Sequence, residues 1–400
     1  MAVPERVLTN DELAALVDTS DEWIRQRTGI VERRIAGDGE TTFSLSLQAA
    51  KSALEVADLD PADLELIVVA TVTPDHAFPA TACLLQVALG AVKAAAFDLS
   101  AGCSGFVYGM SLTADLLAAG SYRHALVIGA ETLSRVVDWT DRGTCVLFGD
   151  GAGAVVLQAS DAPGGILSSV LGADGSGGEL LILPAGGSAL PATAETVQNR
   201  QHFARMDGRQ VFRFATRIMP EAARQVLAHA GLTTEDVRLF VPHQANDRIL
   251  QAAAKGLGVP EGQMFSNLAR YGNTSAASIP IALCEVIEQG LVERDDVLVC
   301  VGFGAGLTWA AAAIRWSLPL PAPAPSVRMS FWRRLRYRWS RLRSFWRRLW
   351  RRADARLFKV LYDEHGRRKR REELIPRVRG AEKRDSEKHA SEERNDQRGD

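Results

Sequence analysis

Strand and helix patterns alternate twice along the first 316 residues. Apolar runs such as Leu64–Thr71 and Val297–Val301 have no polar face, which indicates sheet strands covered by helices on both sides. Amphipathic helical patterns, such as that of residues 43–57, separate these runs. The alternation therefore predicts an α/β protein made of two similar halves, residues 1–162 and 163–316.

One stretch in the first half combines a strand, a tight turn and a helix. The strand around Phe97 leads into the turn Gly102–Gly105, and a helix is predicted to run from there to about Leu117. Cys103 thus lies at a helix start, where free N–H groups and the helix dipole favour a thiolate. We predict that Cys103 is a nucleophile; the alternative is a buried structural cysteine at a packed turn.

Two turns in the second half carry polar side chains. His243 follows a buried strand at a helix start, and Asn273 lies in a turn before another helix. Considered alone, His243 is typical of a histidine in the protein core, and Asn273 is typical of the residue before a helix. The glycine-rich segment Phe148–Ala154 leads into a strand rather than a helix, which argues against a dinucleotide site.

The cysteine count and the apolar runs indicate in which cellular compartment the protein is located. Five cysteines without paired spacing, and no apolar signal segment at the N-terminus, predict a reducing, cytoplasmic compartment. The uncharged run Val297–Ile314 just reaches the length of a membrane span. Its three central glycines (Gly302, Gly304 and Gly306) instead predict strand, loop and strand.

Charge divides the chain into two different parts. Residues 317–400 hold 25 of the 47 basic and 12 of the 48 acidic residues, a net of +13 against −14 for the remainder. We predict a proline-rich linker at 317–326, a basic Trp-rich amphipathic helix at 327–362 and a charged disordered tail at 363–400. Such a helix suits an anionic membrane surface, which predicts peripheral membrane association; the alternatives are an acidic protein partner and an extension without a role.

Seven segments occur together in one order: Asp21–Ile30, Gly102–Phe106, Asp141–Thr144, Phe148–Gly153, Pro242–Asn246, Gly272–Ser278 and Gly302–Gly306. Together they resemble the β-ketoacyl-acyl carrier protein synthase III family of thiolase-fold condensing enzymes. The resemblance covers about Pro4 to Trp316 and predicts a five-layered αβαβα architecture.

The resemblance implies roles for individual residues. Cys103, His243 and Asn273 would form the catalytic triad, and Ala305, Phe303 and Phe78 the oxyanion site and acyl pocket, with Phe78 closing the pocket of a partner subunit in a homodimer. Coenzyme A would contact Trp23, Arg27, Thr28, Arg142, Gly143 and Arg209, and the acyl carrier protein would dock on Arg248, Gln244 and Ala245. Neither a metal nor another cofactor is implied, and no nucleic-acid partner is expected.

The predicted function is condensation of an acyl-CoA primer with malonyl-acyl carrier protein in the initiation of fatty acid biosynthesis. Two alternatives remain: a related synthase of secondary metabolism, and a scaffold whose site has decayed. The chain departs from the family pattern in having Arg209 in place of a small polar residue. It also has no glycine-rich strand before Pro4. Either the start of the chain has been set too late, or one sheet lacks a strand and exposes an edge.

Overall fold

The computed structural model describes residues 1–317 and five later residues. Residues 1–340 form one compact unit and 341–400 a second. Trp339 in the first unit, and Trp346, Leu349, Trp350 and Ala353 in the second, are helical and exposed. Apart from these five and Ser317, the predicted linker, basic helix and charged tail lie outside the described residues.

Two four-stranded sheets form the centre of the first unit. One has the order β4-β3-β5-β6 and the other β10-β11-β12-β7, each mixing parallel and antiparallel pairs. Two short antiparallel pairs, β1 with β2 and β8 with β9, lie outside them. The strands are β1 (Val7–Thr9), β2 (Glu32–Arg34), β3 (Leu66–Ala70), β4 (Ala95–Leu99), β5 (His124–Thr132), β6 (Asp150–Gln158), β7 (Gly165–Ala173), β8 (Leu181–Ile182), β9 (Arg205–Met206), β10 (Val237–Pro242), β11 (Val297–Gly304) and β12 (Thr308–Arg315).

Helices cover both faces of each sheet and give the predicted five layers. Here α3 and α4 pack on the outer face of the first sheet, α5 and α11 lie between the sheets, and α8 and α9 form the opposite outer layer. The helices are α1 (Asn10–Ala14), α2 (Asp21–Thr28), α3 (Thr42–Val56), α4 (Thr81–Leu89), α5 (Gly105–Ala118), α6 (Arg142–Cys145), α7 (Ala194–Gln198), α8 (Gly208–His229), α9 (Asp247–Leu257), α10 (Leu268–Tyr271) and α11 (Ser278–Glu288).

The α/β architecture with two similar halves is confirmed, and several boundaries differ from prediction. The sequence pattern predicts a helix over residues 211–230. Helix α8 begins earlier, at Gly208, because Asp207 caps it by accepting the Gln210 N–H at 3.0 Å. Strand β7 was not predicted from its sequence, since its formation depends on pairing with β12. The run from Val297 to Ile314 forms β11, a loop and β12, as predicted.

The free edge of β6 is partly covered. Ala2 and Ala152 exchange two backbone hydrogen bonds of 2.8 Å, which add one bridge beside the four-stranded sheet. The predicted open edge is therefore closed at this point. Among the described residues, the helices are all too short or too polar to cross a bilayer.

Candidate active site

Cys103 lies between the carboxyl end of β4 and the first turn of α5. Gly102, Cys103 and Ser104 form one 3₁₀ turn, and α5 continues from Gly105 into the space between the two sheets. The Cys103 side chain is 8% exposed and borders a cavity of about 520 Å³. The predicted strand–turn–helix placement of this cysteine is therefore confirmed.

The backbone around Cys103 is in close contact with the loop after β11. Gly102 has φ +54°, and a Cβ there would lie 2.6 Å from the Ala305 nitrogen. A Cβ on Gly304 would collide with the Cys103 nitrogen. Only glycines permit this approach, and it packs the backbone of Gly304 and Ala305 directly against that of Gly102 and Cys103.

Burial is the main influence on the pKa of Cys103. Removal from water raises the pKa of the thiol to about 12, against a smaller opposing effect of a hydrogen bond with the Ser275 side chain. Desolvation thus opposes the helix terminus, which favours the thiolate. The thiol must lose its proton during the reaction.

His243 follows β10 and is held in a fixed orientation. Its ring is 1% exposed and packs edge-on against Phe303, with centroids 5.4 Å apart. Nδ1 lies 2.6 Å from the Ser278 hydroxyl, which also accepts the Gln244 N–H at 3.4 Å. With that hydroxyl donating to Nδ1, the ring proton lies on Nε2. Burial lowers the pKa of His243 to about 3, so the ring stays neutral.

Asn273 is fixed by backbone contacts on both sides. Its N–H donates to the Leu147 carbonyl at 2.8 Å, and its carbonyl accepts the Gly149 N–H at 3.0 Å. Side-chain Oδ1 accepts the Ser275 N–H at 2.8 Å. Because Oδ1 is engaged in this way, the remaining donor group of the amide, Nδ2, is available to the cavity that Asn273 lines.

The structure gathers most of the predicted site residues around this one cavity. Both halves of the fold contribute to its wall. Among residues 1–317, no cluster of three or more His, Cys, Asp or Glu side chains could bind a metal ion. The predicted residues that line the cavity are Trp23, Arg27, Thr28, Cys103, Arg142, Gly143, Arg209, His243, Ala245, Arg248, Asn273 and Phe303.

Cationic side chains surround an indole in the cavity wall. The guanidinium groups of Arg27 and Arg142 lie 5.6 and 5.0 Å from the centre of the Trp23 ring. Arg142 also donates to the Asp18 carbonyl at 2.7 Å. The cavity is lined by five arginines in all, and within residues 1–317 only Arg142 among them forms an ion pair, with Asp18. The others are Arg27, Arg209, Arg213 and Arg248.

Three predicted site residues do not line the cavity: Ala305, Gln244 and Phe78. Ala305 lies directly after the lining residue Gly304, and its backbone contacts Gly102. Gln244 is 1% exposed, and its amide donates to the Pro242 and Phe265 carbonyls and accepts the Asn267 N–H. The prediction that Gln244 contacts a carrier protein is therefore wrong, since its hydrogen bonds are internal. Phe78 is 87% exposed and does not line the cavity of its own chain.

Sequence analysis missed four residues that hold the site together. Asn246 caps α9 through the Arg248 N–H and donates to the Arg27 carbonyl at 3.0 Å, which ties together the two halves of the cavity wall. Ser275 and Ser278 bind Asn273 and His243, and Glu131 binds Ser275. The two serines lie within a motif that was recognised, but Glu131 lies in a strand pattern that carries no such signal.

Comparisons with known proteins agree with this geometry. Residues 97–175 match the family model for 3-oxoacyl-[acyl-carrier-protein (ACP)] synthase III, and residues 227–316 match the model for its C-terminal part. The first match contains Cys103, and the second contains His243 and Asn273.

Individual relatives are similar over about four-fifths of this chain. The chain is 54% identical to a β-ketoacyl-[acyl-carrier-protein] synthase III of Caldanaerobacter subterraneus, covering 79% of this chain and 95% of the relative. The crystal structure of 3-oxoacyl-[acyl-carrier-protein] synthase III from Aquifex aeolicus is 48% identical with a TM-score of 0.73, covering 79% and 97%. The priming β-ketosynthase of the R1128 polyketide pathway is 40% identical with a TM-score of 0.74, covering 80% and 94%. This chain therefore belongs to the β-ketoacyl-[acyl-carrier-protein] synthase III family.

Proposed function

We infer that this chain joins an acyl-CoA primer to malonyl-acyl carrier protein, releasing CoA and CO₂ and giving 3-oxoacyl-acyl carrier protein. This reaction initiates fatty acid biosynthesis, and we place it in the cytoplasm. The observation that carries the proposal is the meeting of Cys103, His243 and Asn273 at one cavity. A thiol nucleophile and two neutral hydrogen-bond donors are the groups this chemistry requires.

In the first half-reaction, Cys103 attacks the thioester of the primer. The thiol forms a new thioester and CoA leaves as the free thiol. The adjacent backbone N–H groups of Cys103 and Ala305 stabilise the negative charge that develops on the carbonyl oxygen. Their contact is made possible by the absence of side chains on Gly102 and Gly304.

In the second half-reaction, the malonyl thioester loses CO₂ and leaves an enolate. His243 Nε2–H and Asn273 Nδ2–H donate hydrogen bonds to the enolate oxygen, and both are set by fixed partners on their other sides. The enolate carbon then attacks the acyl group on Cys103, the thioester bond to Cys103 breaks, and the sulfur takes up a proton from water as 3-oxoacyl-acyl carrier protein is released. Phe303 packs against the His243 ring and forms an apolar wall, which favours loss of the carboxylate charge.

The arginines beside Trp23 suit a substrate that carries phosphates. Guanidinium groups bind phosphate oxygens through paired hydrogen bonds, and an indole offers a flat surface to an adenine ring. We therefore assign coenzyme A to Trp23, Arg27, Thr28, Arg142, Gly143 and Arg209.

Arg248, whose guanidinium lies 5.6 Å from the Phe212 ring centre, is the proposed contact for the carrier protein together with Ala245.

The test is the mass of the intact protein exposed to a panel of acyl-CoAs. The mass should rise by one acyl group with the preferred primer and return to its starting value when malonyl-acyl carrier protein is added. A chain that is acylated but ignores malonyl-acyl carrier protein would contradict this function and favour a synthase with another acceptor. A chain that takes no acyl group from any primer would favour the decayed scaffold.

We also propose a homodimer built on the edge of the first sheet. Strand β4 is an edge strand, and apolar side chains near it are exposed: Phe97 at 39%, Leu112 at 40% and Phe78 at 87%. An exposed apolar surface of this kind suits a subunit interface. Phe78 would then close the acyl pocket of the partner. Sedimentation should give twice the mass of the chain, and a monomer would contradict the proposal.

A further proposal concerns the basic C-terminal segment. Trp339, Trp346 and Trp350 are helical and 59%, 55% and 73% exposed, and the surrounding sequence is rich in arginine. Exposed indoles beside basic residues favour the interface of an anionic membrane. We propose peripheral membrane association through residues 327–362.

Full-length protein should therefore co-sediment with anionic vesicles, and less so as salt rises. Protein truncated after Trp316 should stay in solution while condensing soluble substrates at the full rate. Replacing Trp339 and Trp346 with Ala should weaken vesicle binding; neutral phosphatidylcholine vesicles are the control. Two results together would contradict this proposal: a severalfold higher KM for malonyl-acyl carrier protein after truncation, and no vesicle binding by the full chain. They would indicate that the basic segment binds the carrier protein instead of a membrane.

A further inference from the structure

The two donors to the enolate oxygen lie on different loops. His243 follows β10, whereas Asn273 follows α10. Both must lie about 3 Å from the same oxygen, so the distance between the two loops has to be fixed. We propose that Glu285, in α11, is the positioning residue that sets this distance for decarboxylation. The proposal rests on the enolate chemistry of the proposed function.

Glu285 is a buried carboxylate with partners on both oxygens. It is 4% exposed and does not line the cavity. Oε1 accepts the Tyr271 hydroxyl at 2.7 Å, and Oε2 accepts the side-chain amide of Asn267 at 3.0 Å. Oε2 also accepts the Arg270 guanidinium at 2.6 Å, which balances the buried charge. These partners hold the carboxylate in place, because losing one of them would leave a buried polar group unsatisfied.

Oε1 of Glu285 is connected to the turn that carries Asn273. Burial and, to a smaller extent, the hydrogen bond to Glu285 raise the pKa of Tyr271 to about 12, so its hydroxyl remains a donor. Tyr271 is followed by Gly272, which has φ +62° and on which a Cβ would lie 2.8 Å from the Leu147 carbonyl oxygen. Because this turn is packed so closely, we expect a shift of Tyr271 to move Asn273 with it.

Oε2 of Glu285 is connected to the loop that carries His243. Asn267 donates its side-chain amide to Glu285 and its backbone N–H to Oε1 of Gln244 at 3.1 Å. Gln244 directly follows His243, and its own N–H donates to the Ser278 hydroxyl, which lies 2.6 Å from Nδ1 of His243. The internal hydrogen bonds of Gln244 therefore tie the histidine loop to the same carboxylate that holds Tyr271.

Helix α11 provides a common reference for both loops. Ser278, at its first position, contacts the His243 ring, and Glu285 lies two turns later. Residues seven apart lie on the same face of a helix, so one helix face contacts the histidine loop and the Asn273 turn. Acylation of Cys103 uses neither enolate donor. We therefore expect decarboxylation, and not acylation, to depend on Glu285.

Release of labelled CO₂ from a preformed acyl-enzyme, measured beside the acylation rate, tests the proposal. Tyr271→Phe removes the connection to Asn273, and Asn267→Ala removes the connection to His243. Each should lower decarboxylation about tenfold, because misplacing a reacting group by 1 Å costs up to about 10²-fold. Glu285→Gln keeps the size of the side chain but has one oxygen in place of two, so its loss should be at least as large. All three variants should be acylated at nearly the wild-type rate.

Tyr108→Phe is the matched control for Tyr271→Phe. Tyr108, in α5, is partly buried, and its hydroxyl donates to the Gly172 carbonyl at 2.7 Å. It does not line the cavity. Loss of this hydroxyl should therefore leave both half-reactions unchanged.

Double variants separate positioning from a general loss of stability. Because Tyr271 acts through Asn273, Tyr271→Phe should cause no further loss in Asn273→Ala but should still cost about tenfold in His243→Ala. A further loss in Asn273→Ala, or equal losses in both half-reactions, would overturn the proposal. So would unchanged decarboxylation in Tyr271→Phe, which decides the matter even where Glu285→Gln fails to fold. Normal decarboxylation by His243→Ala and Asn273→Ala would instead refute the enolate chemistry itself.

Discussion

Cys103→Ala should fold normally and take no acyl group from any acyl-CoA. The side chain is small and the flanking residues are small, so we expect a melting temperature within a few degrees of the wild type. Loss of the nucleophile should lower condensation by at least about 10⁴-fold. Intact-protein mass spectrometry after incubation with the preferred primer measures the first effect, and product formation from malonyl-acyl carrier protein measures the second.

Cys300→Ala is the matched control for this variant. Cys300 is fully buried in β11, and burial raises the pKa of its thiol to about 12, as it does for Cys103. It does not line the cavity, so its removal should leave acylation unchanged. If the acyl group were still bound in Cys103→Ala but absent in Cys300→Ala, Cys300 would be the acylated residue. That result would refute the assignment of Cys103 as the nucleophile.

His243→Ala and Asn273→Ala should separate the two half-reactions. Each variant keeps Cys103 and should still form the acyl-enzyme, but each loses one donor to the enolate. Decarboxylation of malonyl-acyl carrier protein should fall by about 10²- to 10³-fold in each. Release of labelled CO₂ from a preformed acyl-enzyme provides the measurement.

Isosteric replacements sharpen this second result. Asn273→Asp keeps the size of the side chain but places a negative charge beside the enolate, so it should be at least as impaired as Asn273→Ala. His243→Gln retains an N–H donor and should keep more activity than His243→Ala. Because the pKa of His243 is about 3, decarboxylation should show no inflection from this ring between about pH 5 and 9. Normal decarboxylation by His243→Ala or Asn273→Ala would contradict the proposed role of that residue as a hydrogen-bond donor to the enolate.

The sequence pattern predicted the α/β class, the two halves and the placement of the three central site residues. These features are local: a strand is specified by a run such as Leu66–Ala70, and the turn at Cys103 by the small residues beside it. The start of α8 at Gly208 and the presence of β7 were less predictable, because the first depends on a capping residue and the second on a partner strand.

Net charge shows how far the sequence by itself could lead. A net of −14 on residues 1–316 predicts repulsion of an acidic carrier protein. The structure places five arginines around one cavity, among them Arg209 and Arg248. Since screening limits electrostatic effects to about 8 Å at physiological salt, a ligand in the cavity interacts more strongly with these arginines than with acidic residues beyond that distance.

The chemical groups that are present can be predicted from the sequence: a thiol at a helix start, an imidazole after a strand, an amide in a turn, and a basic C-terminal segment. The tertiary structure alone decided their state. Packing of the two sheets around α5 and α11 removes Cys103 and His243 from water, which keeps the thiol protonated and the imidazole neutral. It also buries Gln244 and brings Glu131 to Ser275. Solvation and contacts between residues distant in sequence arise only when the chain is folded, because they depend on which surfaces meet and exclude water.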